Sequence, residues 1–174
     1  AVRVANAAVF DMASRADLAW NTGTTLVAAL IDLDELFWIS VGDSRIYLYR
    51  DNHLRQLNQD HNYFNELKVQ VEQGMISLEE ADAHPEKNAL TSYLGMDVLR
   101  DIDQNYEPIP LKAGDRILLC SDGLHGVLSE EEIIDALKLP AQEAADLLLE
   151  KTLAKGHRHQ DNVTVAIFAC EQAS

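Results

Sequence analysis

"LLCSDGLHGV", residues 118–127, ends an apolar run on Ser121-Asp122-Gly123. With Arg116 and Ile117 ahead of it, the run has the length and composition of a short buried strand. Asp122 therefore sits where a rigid strand meets a change of direction. Two readings of it are open. Asp-Gly is a common turn pair, so the acid can be punctuation. A carboxylate held at a strand end is also a good place to hold a divalent ion.

Two other aspartates share this context. Asp161 opens "DNVTVAIFAC", a β-branched strand expected over 162–170, and Asp43 follows the apolar run "FWISVG". If 116–120 and 162–170 are antiparallel neighbours, the end of one adjoins the start of the other, and Asp122 and Asp161 converge. Two close carboxylates repel unless a proton or a cation lies between them. Oxygen-only ligands on rigid supports suit Mg²⁺ or Mn²⁺ and not zinc. The alternative stays open on spacing alone: Gly-Asp-Ser, Ser-Asp-Gly and Gln-Asp-Asn are all common turn sequences.

The remaining elements follow from periodicity and stop signals. Residues 2–19 predict an amphipathic helix with Val2, Ala5, Val9, Met12 and Ala16 on one face. "TTLVAALI" and "LFWISVG" predict a hairpin of two mostly buried strands, and "RIYLYR" alternates Ile46 and Leu48 against Tyr47 and Tyr49. A helix over 61–73 carries Phe64, Leu67 and Val71 and stops at Gly74. Ser77 with Glu80 forms a capping box for a short helix ending before Pro85. Residues 61–90 are thus a helical insertion between strands. The prolines of "NYEPIPL" mark an edge piece. Ser129 with Glu132 opens a helix to about Leu139, Pro140 breaks it, and a further helix stops at Gly156. Strands dominate both ends and helices come in blocks, which predicts an α+β domain with antiparallel sheet over residues 1–174.

Composition narrows the function classes. The chain has 174 residues, 47% apolar and 25% charged, the balance of an ordinary globular domain. Its net charge of -15, from 29 acids against 14 bases, repels nucleic-acid phosphates and anionic lipid. No apolar run is long enough for a membrane span, and "AVRVANAAVFDMASR" has no secretion-signal pattern. Only Cys120 and Cys170 occur, so neither a disulfide scaffold nor a zinc site is expected, and the expected compartment is a reducing cytoplasm. Cys120 reads as core. His157 and His159 read as part of a solvated basic loop, and His61 and His84 as surface or helix-end residues. There is no Walker-type loop, nucleophile-elbow serine or Cys–His pair.

Five segments stand in a telling order: "GTTLVAALI", "VGDSRIYLYRDNHLRQLNQDH", "HPEKNALTSYLG", "KAGDRILLCSDGLHGVLSEEEI" and "RHQDNVTVAIFA". In order and wording they resemble the metal-dependent protein phosphatases (PPM, type 2C) of the bacterial branch, from about residue 1 to 169. The resemblance implies an antiparallel β-sandwich flanked by helices, with a two-metal centre at one end. It implies that Asp122 and Asp161 are metal ligands and that Asp43 helps hold a third ion. Ser121 and Asn162 would support those ligands, and 61–90 would be the flap beside the cleft. The implied reaction is hydrolysis of phosphomonoesters on phosphoserine or phosphothreonine proteins by a metal-activated water. Mn²⁺ or Mg²⁺ would serve as cofactor, two or three ions in all, and a serine/threonine kinase would act in opposition.

The sequence also departs from that pattern. The family normally carries, upstream, a phosphate-gripping arginine, an Asn-Gln-Asp or Asn-Glu-Asp stretch, and an Asp-Gly pair whose aspartate bridges both metals. None of these precedes the five segments here; Asn58-Gln59-Asp60 and Asp122-Gly123 lie within them. The expectation is therefore the C-terminal two-thirds of a phosphatase domain, with little activity alone and a bared sheet edge that favours self-association. The competing expectation is a phosphatase-like regulatory module that hydrolyses nothing. Retention of Asp122 and Asp161 speaks against it.

Overall fold

A computed structural model describes residues 1–18, 22–156 and 161–171. In chain order its elements are α1 (Val2–Arg15), β1 (Leu26–Asp32), β2 (Glu35–Val41), β3 (Arg45–Arg50), β4 (His53–Gln56), α2 (Tyr63–Glu72), α3 (Leu78–Asp82), β5 (Asp103–Gln104), β6 (Ile109–Pro110), β7 (Arg116–Cys120), α4 (Asp122–His125), α5 (Glu130–Leu137), α6 (Ala141–Ala154) and β8 (Val165–Ala169). They fall into two compact units. One comprises 1–26, 40–43 and 60–103; the other comprises 27–39, 44–59 and the described residues from 104 onward.

The second unit is built on β3 and β7, which pair antiparallel from Arg45 opposite Cys120 to Tyr49 opposite Arg116. Their alternating side chains serve two cores. Ile46, Leu48 and Ile117 face Leu36, Trp38 and Leu111, with Val27, Ala29 and Ile31 of β1 packed alongside. Tyr47, Leu118 and Cys120 face Leu124, Ile133, Ala136, Leu137 and Leu148 from α4, α5 and α6. A strand buried on both faces reads as a continuous apolar run, and "RILLC" is one. Among the described residues, one four-stranded sheet has the order β4-β3-β7-β8; the other runs β1-β2-β5, with β6 also paired to β2. The two share the Ile46–Trp38 core, so the architecture is an α+β sandwich of antiparallel sheets with helices on the outer face of one of them.

Helix ends in this unit follow the sequence closely. The Ser129 side chain accepts the Glu132 amide, and the Glu132 carboxylate accepts the Ser129 amide, a complete capping box at the start of α5. Ser129→Ala is expected to cost about 1 kcal/mol, read as a lowered melting temperature. Pro110 sits in the two-residue strand β6, antiparallel to the start of β2, as a proline-bearing edge piece should. The hairpin strand β1 is less buried than its composition suggests: Ala28, Leu30 and Asp32 are exposed because one face of this outer strand is uncovered.

In the first unit, α1 buries Val2, Asn6 and Ala13, while Met12 and Ala16 are exposed. The buried face is thus rotated from the one that apolar spacing predicts. Asn6 explains the rotation. Its amide donates to the Met96 carbonyl (2.8 Å) and accepts the Gly95 amide (2.8 Å), so a polar residue anchors the helix. Thr24 and Leu94 exchange backbone hydrogen bonds of 3.0 and 2.9 Å. Asn62 caps α2, and Ser77 and Glu80 form the expected capping box on α3. The insertion 61–90 is therefore helical as the sequence indicates. The expected basic loop carrying His157 and His159 lies outside the described residues.

Candidate functional site

The antiparallel pairing of β7 with β8 ends at Cys120 opposite Val165. One step further, the Ser121 amide still donates to the Thr164 carbonyl at 3.1 Å. There the ladder gives way to a side-chain bridge: the Ser121 hydroxyl donates to the Asn162 carbonyl (3.2 Å) and accepts the Thr164 amide (3.0 Å). This bridge is why β8 starts at Val165 and not, as β-propensity predicts, at Asn162. Residues 161–164 are held against the end of β7 without being strand.

Past Ser121 the chain enters α4 directly, with Ser121 as its N-cap and Asp122 as its first residue. Asp122 is thus a helix-opening residue and not part of the turn that Asp-Gly suggests. Gly123 has another reason to be glycine. A Cβ there would meet the Asn162 carbonyl oxygen at a distance no side chain tolerates, with the Asn162 carbonyl carbon at 3.1 Å and the Asp161 oxygen at 3.3 Å. The backbones at 122–123 and 161–162 therefore touch, as convergence of the two aspartates requires. Each carboxylate accepts the amide of the following residue, Asp122 from Gly123 (2.9 Å) and Asp161 from Asn162 (2.7 Å). Both aspartates are exposed.

Among the described residues the donor set here is oxygen only, with no sulfur or imidazole in the bridge, which fits a hard divalent ion. Its number is small. Among the described residues, no group of three or more His, Cys, Asp or Glu side chains is arranged to hold a metal. Cys120 is buried in the core, and neither cysteine is in a disulfide.

Asp43 belongs to the first unit, half-buried on the turn after β2. Gly42, just before it, has φ +101°, and a Cβ there would collide with the Thr25 side chain, so only glycine fits this turn. On its other side Gly42 meets a residue that sequence reasoning passed over. The Gly42 amide donates to Nδ1 of His61 at 3.0 Å, and the His61 amide donates back to the Gly42 carbonyl at 2.9 Å. Burial pushes the His61 imidazole below its ordinary pKa, against the opposing pull of Asp101, Asp103 and Asp60. The one available signal was local, a histidine directly after Asp60 at the head of a helix, and it pointed to the surface.

Comparison with known proteins identifies the family. The family model for protein phosphatase 2C matches residues 7–162. The serine/threonine phosphatase stp of Listeria welshimeri is 40% identical over 147 residues, 83% of this chain and 56% of its own length. The serine/threonine protein phosphatase PstP of Mycobacterium tuberculosis is 36% identical over 168 residues, 96% of this chain and 31% of its own length. The chain thus spans about half or less of these relatives. The crystal structure of the M. tuberculosis phosphatase PstP/Ppp superposes with a TM-score of 0.80, covering 98% of this chain and 70% of that one at 36% identity. A PstP catalytic domain in complex with two manganese ions gives a TM-score of 0.71 at 35% identity, covering 93% of this chain and 65% of that one. Family model, relatives and superpositions agree with the sandwich: the chain belongs to the protein phosphatase 2C family, beside the bacterial serine/threonine phosphatases.

Proposed function

We propose that this chain carries part of the metal centre of a protein serine/threonine phosphatase, with Asp122 and Asp161 holding divalent ions and Asp43 contributing to a further, weaker one. The observation that carries the reading is the contact between the Gly123 backbone and the carbonyls of Asp161 and Asn162. That contact seats two carboxylates on backbones fixed by the Ser121 bridge. When bound, Mn²⁺ or Mg²⁺ supplies charge neutralisation and an acidified water for in-line attack on a phosphomonoester. The chain's own contribution is rigid placement of acids that would otherwise repel. On a surface of net charge -15, an anionic phosphoprotein approaches most readily where bound cations offset that charge.

Among the described residues, no side chain at the junction is placed to act as a nucleophile. Cys120 is buried, and the Ser121 hydroxyl is engaged with backbone on both sides. Hydrolysis without a covalent intermediate needs neither. The names of the relatives support phosphoserine and phosphothreonine proteins as the substrate class. An opposing serine/threonine kinase and a cytoplasmic setting belong to the same reading. No helix among the described residues is long and apolar enough to cross a membrane.

Two carboxylates leave most of an ion's coordination to water, so affinity is low and the 174-residue chain alone turns over little substrate. Electron paramagnetic resonance of free Mn²⁺ measures the binding directly. Asp122→Asn and Asp161→Asn are each expected to weaken it at least tenfold, roughly the loss that follows removal of a charged ligand. Binding unchanged in both variants would sink the metal reading. Brisk hydrolysis of p-nitrophenyl phosphate by the pure chain would sink the expectation of low activity.

A further inference from the structure

The turn that carries Asp43 is held from outside by a residue with no role so far. Gly42 is buried, and its amide has to be paired. Its partner is not a strand neighbour but the Nδ1 atom of His61, at the head of the 61–90 insertion. The contact is reciprocal, since the His61 amide returns a bond to the Gly42 carbonyl, and the His61 carbonyl accepts the Thr91 amide at 2.9 Å. One residue thus ties together the Asp43 turn, the start of the insertion and the segment where it ends. Thr25 closes the opposite side of Gly42, within 2.7 Å of where a Cβ would stand by its own Cβ atom. Gly42 has no room to move toward Thr25 and no spare donor to give elsewhere.

We propose that His61 is a positioning residue for the ion held by Asp43: its Nδ1 lone pair fixes the Val41–Gly42 peptide while its own amide holds the carbonyl of the Gly42–Asp43 peptide, and the two together set the direction in which Asp43 is presented. The inference rests on the reading of Asp43 as a ligand and adds to it the residue that aims the ligand. Accepting through Nδ1 requires the neutral ring with its proton on Nε2. The burial that lowers the His61 pKa keeps the ring in that form at neutral pH.

Asparagine and phenylalanine separate acceptor from bulk at this position. The Oδ1 atom of asparagine stands the same number of bonds from Cα as Nδ1, so His61→Asn retains the acceptor. His61→Phe retains the ring and loses it. The experiment compares wild type, Asp43→Asn, His61→Asn, His61→Phe and the double variant Asp43→Asn/His61→Phe in the full chain. It reads Mn²⁺ binding by paramagnetic resonance and exchange of the Gly42 amide by NMR. Asp43→Asn defines the Asp43-dependent ion by difference. His61→Phe is expected to weaken that ion by about tenfold, the loss typical when a group orienting a ligand is removed. It should also speed Gly42 exchange about tenfold or more as the amide loses its partner. His61→Asn should stay near wild type in both, and the double variant should lose nothing beyond Asp43→Asn. Retention of the Asp43-dependent ion in His61→Phe, or its loss in His61→Asn, overturns the proposal. Unchanged binding in Asp43→Asn fails the ligand reading and takes the proposal with it. That case is told apart by Gly42 exchange, which still accelerates in His61→Phe.

Discussion

Arg50→Met is expected to destabilise the protein by about 3–5 kcal/mol, the usual cost of stripping one partner from a buried ion pair. For a chain of this size that is a fall in melting temperature of roughly 10 °C. Asp115 is only 2% exposed at the start of β7. Its carboxylate accepts Nε of Arg50 at 2.8 Å, Nη2 at 2.6 Å and the Lys112 amide at 2.7 Å. Arg50 also donates to the Pro110 carbonyl at 2.7 Å, so the guanidinium joins β3 to the edge piece β6. Methionine keeps the packing of the arginine stem and removes only the charged fork. What remains is a buried acid with one amide donor.

The pH dependence identifies the cause. Burial alone would raise the Asp115 carboxyl, but the Arg50 fork and the Lys112 amide outweigh it and hold the group below the usual carboxylate range. In wild type the pair's contribution is therefore full above the unfolded pKa near 4 and fades as pH falls through the lower native value. In Arg50→Met burial is opposed by far less, and the native carboxyl rises above its unfolded value. The variant's penalty is then largest near neutral pH and shrinks toward about pH 4, where both states take up the proton. Thermal unfolding at the two pH values checks this. The double variant Arg50→Met/Asp115→Leu, with no charge left to bury, should recover much of the loss. A double variant as unstable as the single would mean that packing, not charge, holds this corner.

How far the sequence discloses such features depends on where a residue's partner lies. The runs that became β3 and β7 were legible because burial on alternate faces leaves a local pattern. The capping boxes at Ser77 and Ser129 were legible because both halves lie three residues apart. Asn6, Asn58, Asn105 and His61 left no such trace. Asn58 accepts the Ile46 amide and donates to the Ser44 carbonyl. Asn105 pairs with the Trp38 amide and the Leu36 carbonyl, serving β2 as a neighbouring strand would. Each is a polar loop or helix residue whose value comes from backbone far away in the chain, and composition assigns such residues to solvent. The same blindness placed the first strand residue of β8 at Asn162, since only the fold reveals that a serine side chain takes over the ladder there. At the junction itself, the motif residues were visible from sequence, but the reason Gly123 must be glycine was not.

That reason makes Gly123→Ala the sharpest probe of the proposed metal site. Gly123 has no left-handed φ, so alanine meets no backbone strain, and within α4 its helix propensity would favour the folded state by about 1 kcal/mol. Any loss must come from the new methyl group. The atoms it strikes are the Asn162 carbonyl and the Asp161 oxygen, main-chain groups that cannot swing aside as a side-chain tip can. Overpacking of this kind costs about 1–3 kcal/mol, enough to cancel the propensity gain and leave a net destabilisation. Relief of the clash requires the 161–162 segment to move off α4, and Asp161 moves away from Asp122 with it. Mn²⁺ affinity should then fall about tenfold, as when the support of a metal ligand is disturbed. Ser129→Ala supplies the control, because it loses comparable stability through a helix cap in α5 and leaves the junction untouched. If Gly123→Ala and Ser129→Ala bind Mn²⁺ alike, then the close approach of residues 123 and 162 has no bearing on ion binding, and Asp122 and Asp161 do not act as a pair.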